Sequence, residues 1–196
     1  MRDLSSKRVL VEILEENGKR LTSQMVESAT QGNIRFLDSD HYLRKAVVGG
    51  SNQQLIDSET RMIDGVSTFK GTQFQHDRVE IIDKIKIGYD SNANENHEGF
   101  ATYQKALPGI FRNARLKISQ GSKLLGDFPL YRLGNKYTGN SIEDDFRVLT
   151  QPIVIVGGVD FELELIFPKG YKSNVTDYEY LEIATSGISV FRKDSV

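Results

Sequence analysis

From residue 65 onward apolar and polar positions alternate, the period-two signature of strands with one buried face. Val79, Ile81, Ile85, Ile87 and Tyr89 share one parity, interrupted at Asp83, and the polar segment 90–99 ends that run. Ala114, Leu116 and Ile118 alternate with Arg115 and Lys117 before Gln120, Gly121 and Ser122 turn the chain. Residues 124–133 predict a further strand, which Pro129 holds near an edge or bend because proline cannot donate to a ladder. Residues 153–156 are continuously apolar, as in a strand covered on both faces, and Gly157 and Gly158 close it. Phe161, Leu163, Leu165 and Phe167 then face one way and Glu162 and Glu164 the other, until Pro168 and Gly170. A last pair of strands, 178–183 and 188–192, is separated by Ala184, Thr185, Ser186 and Gly187. Several strands with turn signals and no convincing helix between them predict an all-β fold, a sandwich or barrel and not βαβ units.

The first third of the chain has a different texture. Ser5 or Ser6 can cap a short helix running to Glu16, with Leu10, Ile13 and Leu14 on one face and Asn17 and Gly18 as the stop. A strand over residues 9–14 is the rival, because Val9, Val11 and Ile13 also alternate. From residue 22 to 64 polar residues dominate and apolar ones come in small groups, which predicts an extended arm ordered by lying on its own sandwich or on a neighbouring subunit. The expected organisation is therefore an amino-terminal arm, 1–64, and a β-sandwich, 65–196.

Composition narrows the function classes. A chain of 196 residues has room for one substantial domain and an appendage. With 25 basic and 27 acidic side chains and no basic block, it carries no electrostatic footprint for nucleic acid or an anionic membrane. Cysteine is absent, so neither disulfides nor thiolate metal sites hold the fold together. The amino terminus is charged throughout and lacks the apolar core of a signal peptide, so synthesis and retention in a cytoplasm are expected.

Candidate chemistry is sparse. The three histidines, His41, His76 and His97, form no His-x-His or His-Glu-x-x-His pattern. Asp38, Ser39, Asp40 and His41 can hold a cation, although a turn or helix-capping role is the simpler reading. His97, among Asn and Glu, reads as a solvated loop residue. Glu162 and Glu164 sit on one strand face about 7 Å apart, a spacing compatible with glycoside hydrolysis and equally with the wet side of a half-buried strand. Glu143, Asp144 and Asp145 are an acidic cluster without the alternating ligands or glycine turn of a calcium loop. Tyr171, Tyr178 and Tyr180 can form a sugar-stacking platform, or pack in a core or interface. No nucleophile elbow, phosphate-cradling loop or dinucleotide fingerprint occurs, and no catalytic, metal or cofactor site is assigned.

The sequence VEIIDKIKIGYD, the hairpin-like ARLKISQGSKLLGDFPLYRL, the apolar QPIVIVGGVDFELELIFPKG and the final YEYLEIATSGISVFRKD, preceded by a polar arm, resemble the single jelly-roll capsid proteins of icosahedral viruses, especially bacteriophages. The resemblance spans roughly two thirds of the chain and is one of pattern, shared in its rhythm by cupins and lectins. It implies an antiparallel jelly-roll β-sandwich, no enzymatic activity, and a virion subunit that self-associates and meets other virion structural proteins. Membrane contact would come only through the assembled particle. The length excludes two jelly rolls in tandem and leaves a major, minor or five-fold vertex role. Subunit contacts are expected in the loops 90–99 and 134–145 and in the arm. A carbohydrate- or ligand-binding sandwich that recognises a receptor is the alternative.

Overall fold

A computed structural model describes residue 4 and residues 6–134, 145–170 and 176–193. Eight strands follow two helices, α1 (Lys7–Glu16) and α2 (Ser23–Thr30). The strands are β1 (Ile34–Val47), β2 (Gln53–Gln54), β3 (Arg78–Asn92), β4 (Arg115–Gln120), β5 (Lys123–Pro129), β6 (Arg147–Val156), β7 (Phe161–Ile166) and β8 (Tyr178–Arg192). Short helical turns α3 (Gly109–Arg112) and α4 (Leu130–Leu133) interrupt the connections.

Two antiparallel four-stranded sheets result, ordered β1-β8-β3-β6 and β2-β7-β4-β5. The pairs β1/β8, β2/β7, β3/β6 and β4/β5 are nested, so the chain is one long hairpin folded at the turn between β4 and β5. Rolled up so that successive pairs fall in alternate sheets, this hairpin is a jelly roll, the architecture expected from sequence. Register also fixes polarity. Ile34 faces Arg192 and Val47 faces Glu179, while Arg78 faces Phe191 and Asn92 faces Tyr178. The ends of β1, β3, β5 and β7 and the starts of β2, β4, β6 and β8 therefore gather at one end, and the turns 121–122 and 157–160 lie at the other.

The one-parity run in β3 serves two faces. The register shifts between Ile82 and Lys84, so Asp83 is an extra residue in the ladder. A single inserted residue moves every later side chain to the opposite face. Val79 and Ile81 accordingly pack outside the sandwich, whereas Ile82, Ile85, Ile87 and Tyr89 fill its interior. Gly187, opposite Ile82, belongs to the same feature. A Cβ there would lie 2.0 Å from the Ile81 carbonyl oxygen, so the close strand approach requires glycine. The turn expected at 184–187 is thus corrected: β8 runs unbroken through Gly187, paired on both sides with β1 and β3.

The expected arm is corrected in a similar way. All 14 residues of β1 pair with β8, and β2 pairs with β7, so the sandwich begins at Ile34 and a boundary at 64/65 falls inside it. Little apolar content is needed in β1, because backbone pairing along its whole length supplies what its side chains do not.

The helix expected at the amino terminus is present. Leu10, Ile13 and Leu14 are its buried face, Ser6 is the N-cap residue without a side-chain bond, and the Asn17 side-chain amide donates to the Ile13 carbonyl at 2.8 Å. Helix α2 falls within the stretch expected to be extended, and the Thr22 hydroxyl caps it by accepting from the Met25 amide at 3.2 Å. Leu10, Ile13, Leu14, Met25 and Ala29 cover Val79, Ile81, Val154, Val156 and Val190 on the outer face of the β1-β8-β3-β6 sheet. Ile153 and Ile155 point inward, so the apolar run of β6 is covered on both faces, as its sequence predicts. Among the described residues no helix is long and apolar enough to cross a membrane.

Candidate interaction surface and polar clusters

Two buried polar clusters fix the geometry of the sandwich ends. At the turn end Glu80, 1% exposed, sits on the inward side of β3 just before the bulge. Its Oε1 accepts from the Arg78 guanidinium and from Ser189 Oγ at 2.6 Å, and its Oε2 accepts from Ser39 Oγ at 2.9 Å. Burial works to raise the carboxyl pKa, but bonds from His41 and Ser189 and the charge of Arg78 outweigh it and hold the group ionised below its ordinary range. Arg78 stacks between Phe74 and Phe191, 5.0 and 5.2 Å from the ring centres, and its Nη2 donates to Ser189 Oγ at 3.0 Å. His41 lies against Phe69 and Phe74.

This cluster gathers a hydroxyl, an imidazole and a carboxylate, yet not as a nucleophile relay. A relay places the hydroxyl and the acid on opposite ring nitrogens. Here Ser39 Oγ and Glu80 Oε2 both face His41 Nε2, at 2.9 and 3.4 Å, while Nδ1 faces Thr68 Oγ1 at 3.3 Å. The arrangement ties β1, β3, β8 and the segment at Thr68 together.

At the loop end Asp90, 6% exposed, pins the long β3–β4 connection. It accepts from the amides of Ser91 and Thr102, each at 2.8 Å, and from the Thr102 hydroxyl at 3.0 Å, and it pairs with Lys105 at 2.9 Å. Burial opposes ionisation, but these donors prevail and bring the carboxyl down to about 2. Tyr103, at φ 58°, is folded back onto Gly88 by this anchoring, and its hydroxyl donates to the Glu98 carbonyl at 2.7 Å. Arg44 packs over Tyr42 and Tyr103, donates to Glu182 at 2.8 Å and to the Gly65 carbonyl at 2.8 Å. These contacts fasten residues 62–68 and 98–105 over the outer face of the sheet. Inside the same end, buried Glu179 accepts from Tyr89 Oη at 3.0 Å and from the Gly49 amide at 3.2 Å, and burial together with that carboxylate raises the Tyr89 pKa above its ordinary value.

The residues singled out from sequence are dispersed. Asp38, Ser39, Asp40 and His41 lie within β1 and not in a turn or cap, with Asp38 and Asp40 exposed and His41 turned inward. Among the described residues no group of three or more His, Asp or Glu is placed to hold a metal ion. Glu162 and Glu164 occupy the outer face of β7, where Glu162 accepts from Ser119 at 3.2 Å and Glu164 pairs with Lys117 at 3.4 Å, as expected for the wet side of a strand. Tyr180 is fully buried and its hydroxyl donates to the Asn94 carbonyl at 2.7 Å, which removes it from a stacking platform; Tyr178 is exposed. Tyr171, Glu143, Asp144 and most of the loop 134–145 lie outside the described residues. His97 is half-buried beside Phe100 and Tyr180.

Glu80, Arg78, Asp90 and Glu179 were not singled out from sequence. The available signal was a charge in an otherwise apolar strand, as in VEII, which alternation alone assigns to the wet face. The fold and its clusters define a jelly-roll β-sandwich. No protein-family model matches the chain, and no curated protein matches it.

Proposed function

We propose that the chain is a structural virion protein, a single jelly-roll capsid or five-fold vertex subunit that self-assembles within the particle. The observation that carries this reading is the nested eight-strand topology, with the long connection 93–114 anchored at one end. Such a fold spends its chain on loops that meet neighbours, and the clusters around Glu80 and Asp90 serve to hold those loops and sheets in place. Self-association and contact with other virion structural proteins follow, with synthesis in a host cytoplasm and membrane contact through the assembled particle.

The amino-terminal segment contributes differently from a free arm. Helices α1 and α2 lie on their own sandwich, so contacts with neighbours would come from their outer surfaces and from the loops. Light scattering coupled to size exclusion, with negative-stain imaging of the full chain, tests the reading. Closed trimers, pentamers or shells are expected. A strict monomer at high concentration, with saturable glycan binding, would overturn it in favour of a receptor-binding module.

A further inference from the structure

We infer that the cleft between the edges of β5 and β6 binds a small organic anion, which seats a flat apolar face against Phe128 and a carboxylate or sulfate group between Arg132 and Arg147. The two strands are the last of their sheets on the same side of the sandwich, and among the described residues no strand pairs with the outer edge of either. A cleft of about 370 Å³ lies there. Small-ligand sites start at about 300 Å³ and are lined mainly by apolar groups with a few placed polar ones. Half-buried Leu125, Phe128 and Pro129 form the wall of this one, and Leu133 and Leu149, almost fully buried, close its floor.

The aromatic wall is a product of the local sequence. Phe128 folds back along its own strand over Gly126, where a Cβ would lie 2.8 Å from Cζ of the ring and 3.2 Å from Ile153 Cδ1 of β6. The missing side chain at 126 therefore leaves room for the ring to reach from β5 towards β6, packed against the core yet bordering the cleft.

Charge selects the sign of the ligand. Arg132 stands on α4, which is fixed by buried Leu130 and Leu133 and by the Gly134 amide donating to the Leu130 carbonyl at 2.8 Å. Arg147 opens β6 opposite Ile85. Both side chains are exposed at the cleft, and among the described residues neither takes part in a hydrogen bond or an ion pair. The carboxylate on the lining, Asp127, is already held by Arg115, whose Nε donates to it at 2.9 Å. Two unmatched guanidinium groups beside an apolar wall attract an anion and repel a cation, and a guanidinium meets a carboxylate or sulfate through two parallel bonds. The exposed Thr150 hydroxyl and Gln151 amide next to them can bond ligand hydroxyls. An acidic sugar and an aromatic carboxylate share this chemistry.

The test is a titration of the isotope-labelled full chain followed by amide chemical shifts, with naphthoate, glucuronate, neutral naphthamide and inorganic sulfate as separate probes. Saturable shifts in residues 126–128 and 149–151 are expected with naphthoate, with glucuronate or with both, and the tighter of the two tells an aromatic source from a sugar. Arg132→Gln and Arg147→Gln should each weaken that binding roughly 10-fold, the loss of a charge-assisted bond, whereas Arg35→Gln, a change at an exposed arginine on β1, leaves it unchanged. These side chains are exposed, so spectra away from the cleft and thermal melts should match the native chain. Absence of saturable shifts with both organic anions, equal affinity for naphthamide, an equal loss in Arg35→Gln, or native binding by the doubly substituted Arg132→Gln/Arg147→Gln chain overturns the proposal. Sulfate binding as tightly as the organic anions overturns it too, since the apolar wall would then add nothing.

Discussion

Replacing Gly187 with alanine tests the relation between the bulge at Asp83 and the unbroken strand β8. The added Cβ would lie 2.0 Å from the Ile81 oxygen, 2.9 Å from Ile82 Cα and 3.0 Å from the Ile81 carbonyl carbon. All three atoms are backbone, so no rotamer change relieves the contact. Normal separations of about 3.5 Å require the strands to part by more than about 1 Å. Both strands are interior, with β8 held by β1 and β3 and β3 held by β8 and β6, so parting them weakens ladder bonds. Overpacking costs about 1–3 kcal/mol and each weakened bond about 0.5–1.5 kcal/mol. Alanine regains about 0.5–1 kcal/mol of chain entropy relative to glycine in a strand. The net loss is about 2–4 kcal/mol, which for a domain of this size lowers the melting temperature by about 4–16 °C. Urea denaturation followed by circular dichroism and a calorimetric scan measure it. Gly109→Ala is the control, because nothing lies within 4 Å of its Cβ and its φ is not left-handed; it should be neutral or stabilising by up to about 1 kcal/mol. If Gly187→Ala came within about 0.5 kcal/mol of the native chain, the close approach of β3 and β8 at this point would be refuted.

Deleting Asp83 removes the extra residue and leaves Ile82 opposite Gly187 and Lys84 opposite Ser186 as consecutive pairs, so both halves of β3 keep their faces and a cooperative transition should persist in a denaturant titration, whereas deleting Asp83 and Lys84 together sends one half to the wrong face and should abolish it. Glu80→Ala leaves Arg78 without its buried partner and should cost about 3–5 kcal/mol in urea denaturation, with Arg78→Ala/Glu80→Ala costing less than the sum of the single changes. The depressed Asp90 carboxyl contributes stability that is complete above its ordinary pKa of 3.8 and lost as pH falls from there through about 2. Hydrogen exchange in residues 93–105 should therefore accelerate over that window relative to the rest of the chain, and Asp90→Asn should abolish the pH dependence while loosening the loop at neutral pH. Removing residues 1–30 should leave a sandwich that aggregates through Val79, Ile81, Val154, Val156 and Val190, whereas removing 1–64 also deletes β1 and β2 and should abolish folding, as light scattering and circular dichroism would show.

The sequence resolved those strands in which one face is dry and the other wet. The alternation of β7 and the turn signals at Gly121 and Gly157 mark real boundaries, and Pro129 ends the edge strand β5. Where a strand is covered twice or bulged, local pattern loses its meaning. Val79 and Ile87 have the same parity and opposite faces, because Asp83 intervenes, and nothing local distinguishes that insertion from a polar residue in phase. Gly187 looked like a turn because a close approach of two strands and a chain reversal ask for the same residue. Strand β1 is not legible in the sequence because its stabilisation lies in backbone bonds to residues more than 130 positions away, with only Leu43 and Val47 given to the inner core. The Glu80 cluster was invisible for a related reason: its members come from four segments that only the roll-up brings together.

The distribution of covered and bare surface bears on assembly. On the outer face of the β1-β8-β3-β6 sheet, α1 and α2 cover the turn end, and the segments fastened by Arg44, Glu182 and Asp90 cover the loop end. The opposite sheet carries the pairs Arg115 with Asp127 and Lys117 with Glu164 on its outer face, where Glu162 also accepts from the largely buried Ser119. A laddered, internally neutralised charged face has its partners already and gains little by burial, since charged residues are depleted at the centres of interfaces. Phe100, Met62 and Ile63, by contrast, stand on the covering segments themselves. The same loops therefore shield one sheet from water and carry apolar groups outward.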